Sequence, residues 1–153
     1  MAANSYVRLQ RANFVVRDID RSLAFYRDVL GFDVAFIKDS PDDSYSYPVF
    51  EIDTSHKLRF AVLSTAEQVR VLALTEVPTE LPPLPDPRRA AIVLEVGDVD
   101  AVCEGARAAG CKVYEEEELH THDGRVGREV GIVDYDDNLT VIYKIPATGQ
   151  AAS

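Results

Sequence analysis

The feature that most constrains this chain is an internal duplication. Residues 13–20 read NFVVRDID, run into an amphipathic stretch ending at Leu30, and pass through Gly31 to Val34. Residues 93–100 read VLEVGDVD, run into a second such stretch, and pass through Gly110 to Val113. Asp18 to Asp98 and Asp20 to Asp100 are each 80 residues apart, and Gly31 to Gly110 is 79. A spacing held so closely marks a repeated supersecondary unit. Two copies cannot make a solenoid, which needs roughly three or more repeats to bury a continuous core. The expectation is two modules packed into one domain, with any binding site where they meet.

Within each copy the pattern is strand, then helix. Residues 8–17 are apolar and β-prone around Val15 and Val16. Asp18 or Asp20 offers a helix N-cap, Leu23, Tyr26 and Leu30 share one face, and Gly31 is placed to close the helix. Short Val-, Ile-, Phe- and Tyr-rich runs follow at 32–38, 47–53, 57–64 and 69–77, separated by turn formers, and read as antiparallel strands. A proline cluster at 78–87 removes amide donors and reads as an extended connector. The cycle restarts with a strand at 90–96, a helix at 100–109 closed by Gly110, and strands at 112–117, 119–121, 127–134 and 139–145. The fold class expected is α+β: two paired βαβββ modules forming curved mixed sheets around a cleft. Module one spans about 8–77, module two about 88–146, and 147–153 forms a disordered tail of the single 1–153 domain.

Composition narrows the function classes. The net charge is −10, which argues against nucleic acid because no basic stripe offsets phosphate repulsion. Acid suits solubility first, and it also suits a cationic ligand. No apolar run approaches the roughly 18 residues of a membrane span, and the first residues lack a signal-peptide pattern, so a cytoplasmic protein off the membrane is expected. Cys103 and Cys111 fit a reducing compartment and read as small buried apolar residues. Phosphate-binding glycine loops and a nucleophile elbow are absent from the sequence.

Two segments carry a family resemblance. Residues 16–32, VRDIDRSLAFYRDVLGF, and residues 134–141, DYDDNLTV, resemble segments of the vicinal oxygen chelate superfamily, also called the glyoxalase/bleomycin-resistance/dioxygenase fold. The likeness runs from about Leu9 to Ile145 and implies paired βαβββ modules and often a homodimer. Metal-dependent members place His, Gln or Glu ligands on four strands. Carried over by register, those positions hold Arg11, a residue at or near Ala73, Ala91 and Val141. Alanine and valine donate no lone pairs and arginine stays cationic, so no metal and no cofactor are expected there. His120 and His122 could bind zinc with Glu118 or Asp123, but they flank a hairpin turn, where solvated histidines are commoner than ligands.

The candidate ligand-binding residues follow from strand alternation on that resemblance. Arg11, Asn13, Ala91, Val93, Val141 and Tyr143 share the faces of the four positions, with Tyr47 as part of an aromatic wall and Arg128 flanking the second module. Arg11 either grips a ligand oxygen or pairs with an acid or solvent. His120 and His122 are the catalytic candidates, because imidazole titrates near neutrality. The leading reading is a metal-free superfamily member that binds a small organic molecule between its modules, possible drug or antibiotic sequestration included, as a homodimer. The alternatives are a glyoxalase-like lyase, isomerase or dioxygenase-type enzyme with a non-standard metal site or metal-free acid/base catalysis, and a dimeric structural or regulatory protein.

Overall fold

The computed structural model describes residues 3–147. The tail expected at 147–153 therefore lies almost wholly outside the described residues.

Two sheets carry the duplication. Module one places β1 (Ala12–Val16), α1 (Ile19–Tyr26), β2 (Asp33–Asp39), a helical turn α2 (Ser46–Val49), β3 (Arg59–Ser64) and β4 (Leu72–Glu76) in a sheet of order β1-β4-β3-β2. Module two places β5 (Ala91–Glu95), α3 (Val99–Ala108), β6 (Lys112–Val113), β7 (Glu117–His120), β8 (Val126–Val133) and β9 (Leu139–Lys144) in order β5-β9-β8-β6, with β7 also pairing β8. In both, the first strand runs parallel to the last and the remaining pairs are antiparallel.

The repeat is legible down to the caps. Asp18 accepts from the Arg21 amide at 3.2 Å, and Asp98 accepts from the Ala101 amide at 3.0 Å. Each cap satisfies one of the orphan amides of a helix start. Gly31 and Gly110 close the two helical segments at φ +88° and +86°, a conformation that costs glycine nothing.

Regular helix ends earlier in α1 than its apolar pattern suggests. After Tyr26 the chain continues in wider turns, with the Asp28 amide bonded to the Leu23 carbonyl and the Leu30 amide to that of Phe25, both at five-residue spacing. This widened turn seats Val29 against Gly105 of α3, where an added Cβ would stand 3.2 Å from the nearest valine methyl.

One expected strand is absent. The run 47–53 forms α2 and a following turn, with Glu51 at φ +56°. Pro48 cannot donate to a ladder but is tolerated in a first helical turn, so aromatic and β-branched content misled here. The segment instead lays Tyr47 with Leu58 and Val77 over the face of module one opposite its helix.

A single main core joins the modules. Val16, Leu23, Phe25, Tyr26 and Leu74 of module one pack in the same cluster as Val99, Val102, Ala106, Ile132 and Ile142 of module two. Cys103 and Cys111 are buried free thiols at its margin, and burial raises both thiol pKa values. Among the described residues no helix is long and apolar enough to cross a membrane.

Candidate functional site at the module junction

The two segments that carried the resemblance touch each other. The Tyr26 hydroxyl donates to Asp134 Oδ2 at 2.7 Å, and Asn138 Nδ2 donates to the Val15 carbonyl at 3.2 Å. Arg17 Nε donates to Asp136 at 2.8 Å, and the Arg21 guanidinium stacks 4.4 Å from the Tyr135 ring centre. The β8–β9 turn is thus clasped to β1 and α1, which fixes how the first strands of the two modules approach.

Asp134 is the centre of this clasp. Its carboxylate also accepts from the amides of Asp136 and Asn138 and from Asn138 Nδ2. Burial nonetheless raises its pKa above the ordinary 3.8, because desolvation outweighs those donors. The folded state therefore binds more protons than the unfolded chain above about pH 4, and this group's contribution to stability falls as pH rises through that window. Removing one donor should raise the Asp134 pKa further. Tyr26→Phe is expected to destabilise by about 1–3 kcal/mol, the usual cost of a buried acceptor losing its donor. Urea unfolding together with carboxyl-carbon NMR titration checks both expectations.

Between the modules, a cavity of about 360 Å³ opens beside the clasp. Asn13 and Val15 of β1 form one wall, Leu139 and Asn138 another, and the connector residues Leu84, Pro85, Pro87 and Arg88 roof it. Its lining is mainly hydrocarbon. Arg88 is held in place by Asp137, at 2.6 Å from Nη2, and by the Tyr114 hydroxyl, at 2.9 Å from Nη1. Asn13 accepts from the Thr75 hydroxyl at 2.9 Å through Oδ1. Asn13 Nδ2 and Arg88 Nε are buried and have no partner among the described residues. A buried donor left unpaired costs about 1–3 kcal/mol, so both stand out on a wall that is mainly apolar.

The open face of module two is ordered in rows set by strand register. Glu95, Tyr143, Glu129 and Glu117 lie side by side across β5, β9, β8 and β7. The next row is Val93, Val141, Gly131 and Tyr114, and the third contains Ala91, Leu139 and Val133. This face opposes the core, since Val130, Ile132 and Ile142 point inward. A second cavity of about 560 Å³ joins its edge, at Val93, Glu95 and Tyr143, to Phe32 and the β3–β4 turn of module one.

The sequence candidates therefore separate into groups. Asn13 lines the first cavity, while Ala91, Val93, Val141 and Tyr143 share the open face of module two. Tyr47 is buried over module one and donates to the His56 carbonyl. Arg11 precedes β1, is exposed, and lines neither cavity. Arg128 lines neither cavity: it sits on the helix side of β8, bonded to Asp100 of α3 and to Glu116. Valines on both faces of β8 hide that parity in the sequence. His120 and His122 lie exposed at the β7–β8 hairpin, where His120 contacts Glu118 at 3.1 Å. Arg88 and the acidic row went unread; the only sequence signal for Arg88 was its basic pair with Arg89 after the prolines.

The metal positions can now be tested on the strands. Ala73 pairs with Asn13, Ala91 with Leu139, and Val141 with Val93 and Gly131, while Arg11 stands just before β1. None supplies a ligand atom, and among the described residues no three His, Cys, Asp or Glu side chains converge to hold a metal ion. The residues present do not fit the metal centre of metal-dependent relatives.

The family model described as the Glyoxalase/Bleomycin resistance protein/Dioxygenase superfamily matches residues 8–142. The chain belongs to that superfamily. Its fold is similar to that of a glyoxalase family protein from Bacillus cereus, at TM-score 0.72 and 16% identity over 95% of this chain and 98% of that one. It is also similar to the trypanothione-dependent glyoxalase I of Leishmania major, at TM-score 0.60 and 22% identity over 90% and 86%. A third similar structure is the Mn(II)-bound fosfomycin resistance protein of Listeria monocytogenes, at TM-score 0.57 and 17% identity over 94% and 93%. These likenesses establish the superfamily fold. Comparison with curated proteins gives no match.

Proposed function

We propose that this superfamily member binds a small organic molecule between its modules without a metal ion at the four strand positions. The observation that carries the reading is the 360 Å³ apolar cavity built from both modules, beside strands whose metal positions hold Arg11, Ala73, Ala91 and Val141. Small-molecule sites run from about 300 to 1,000 Å³ and combine an apolar lining with a few polar groups. A thermal-stability screen against metabolites and antibiotics tests it, since a ligand of the native state must raise apparent stability. Ala90→Trp, on the exposed wall of the same cavity, should abolish the shift produced by any ligand seated there. A shift unchanged in Ala90→Trp would move the ligand elsewhere.

A second reading, sequestration of a cationic drug, is favoured by one observation. The row of Glu95, Tyr143, Glu129 and Glu117 sets three carboxylates beside an exposed apolar surface. On this reading Glu129→Gln weakens cationic hits and leaves neutral ones untouched. Acid/base catalysis by His120 or His122 has less support, because neither lines the junction cavity.

We also propose a homodimer. Val93 is 63% exposed on the edge strand of the open face, and Tyr6, Val7 and Leu9 are exposed before β1. A second copy covering these groups would bury apolar surface at about 25 cal/mol per Å². Light scattering at tens of micromolar should report twice the chain mass, and Val93→Asp should return it to one. A wild-type monomer at that concentration contradicts this assembly.

A further inference from the structure

The connector between the modules does more than join them. We infer that it selects the ligand of the junction cavity, a charge-neutral and largely apolar molecule bearing a hydrogen-bond acceptor such as a ketone, ester or amide carbonyl. This rests on the reading of that cavity as the ligand site.

Two side chains of the cavity carry the argument. Arg88 Nε and Asn13 Nδ2 are buried donors with no partner among the described residues, and both side chains belong to the walls of the same space. Neither atom can accept, so the missing partner is an acceptor. Their own neighbours hold them in place. Asp137 and Tyr114 occupy the two terminal nitrogens of Arg88, and Thr75 occupies the Asn13 carbonyl oxygen.

Charge then limits what the acceptor can be. The Arg88 guanidinium is already matched by Asp137 at 2.6 Å and the other cation of the lining, Arg89, is exposed to water, so inside the cavity an anionic ligand would stand against a carboxylate rather than a desolvated, unpaired cation. A cationic ligand would meet two donors and a guanidinium. A neutral carbonyl meets the donors without adding a charge. The other side-chain donors of the lining compete little: Asn138 Nδ2 is spent on the Val15 carbonyl and Asp134, Arg89 is exposed to water, Pro85 and Pro87 have no amide N–H, and the side chains of Val15, Leu84 and Leu139 are hydrocarbon. The molecule that fits therefore offers an apolar body and one neutral acceptor at the connector side.

Four probes of one size separate the possibilities: acetophenone, ethylbenzene, benzoate and benzylammonium, each titrated into ¹⁵N-labelled protein by NMR. Acetophenone should bind about tenfold tighter than each of the others, as a site built to hydrogen-bond its ligand discriminates against analogues lacking the group. It should also move the Asn13 side-chain amide and Arg88 Nε–H signals. In Arg88→Met and Asn13→Ala that preference over ethylbenzene should shrink to about twofold or less, with ethylbenzene affinity retained. Asn13 lies within β1, so its variant carries the test even where Arg88→Met loosens the connector. Equal binding of ethylbenzene and acetophenone, with both donor signals unmoved, would overturn the inference while leaving the cavity a ligand site. Tightest binding by benzoate or benzylammonium would overturn it in favour of a charged ligand. Failure of all four to perturb any cavity residue would overturn both the inference and the reading beneath it.

Discussion

Gly127→Ala is expected to lower stability by about 3 kcal/mol or more, the upper range for overpacking a well-ordered interior. Gly127 is buried in β8, and a Cβ there would stand 2.4 Å from the Lys144 carbonyl oxygen and 3.1 Å from the Ile145 Cα. Those are backbone atoms, so no side-chain rotation relieves the clash. The β8–β9 ladder must open at the Arg128–Lys144 pair, next to Glu129 and Tyr143. Disturbance of the open face should accompany the loss of stability. Gly97→Ala is the control, since an added Cβ at Gly97 meets nothing within 4 Å. Chemical denaturation of both variants checks the expectation, and equal midpoints would refute it.

Glu76→Ala is expected to cost about 2–4 kcal/mol. Its side chain is nearly buried at the end of β4 and accepts from the Ile19 amide at 2.8 Å and from Arg59 at 2.7 and 3.1 Å. The first bond places a carboxylate at the start of α1, where exposed amides and the helix dipole favour negative charge. The second is a two-point arginine–carboxylate pair, the stronger class of charged hydrogen bond. Truncating one partner of a fully buried pair costs about 3–5 kcal/mol. Arg59 is one-third exposed and has Asp20 at 3.5 Å, so it recovers part of that loss. Glu76→Gln should fall between wild type and alanine. Urea midpoints for the three proteins measure this directly.

The repeat itself made most of the fold legible. Cap, apolar stripe and closing glycine recur at a fixed offset, and those signals are local, so Asp18, Gly31, Asp98 and Gly110 do in the structure what their positions imply. The exceptions arose where neighbours decide. Tyr47, Val49, Phe50 and Ile52 have strand composition, yet Pro48 and the need to cover module one turn them into a helical turn and loop. Arg128 could not be assigned a face, because Val126 and Val130 on its side look no more inward than Val133 on the other. The contact between Tyr26 and Asp134 joins residues whose approach depends on module packing. Arg88 and the row through Glu95, Tyr143 and Glu129 likewise follow from connector path and strand register, neither of which periodicity reveals.

The proposed ligand binding at the junction is expected to be independent of a divalent ion. The most direct measurement is the dissociation constant of the best hit from the stability screen, determined by calorimetry in excess EDTA and again with added manganese, zinc, nickel or iron(II). Elemental analysis of the same samples counts ions per chain. One dissociation constant in all conditions is expected, with no stoichiometric ion in protein purified without chelator. Binding that vanishes in EDTA and returns with one ion per chain would contradict it.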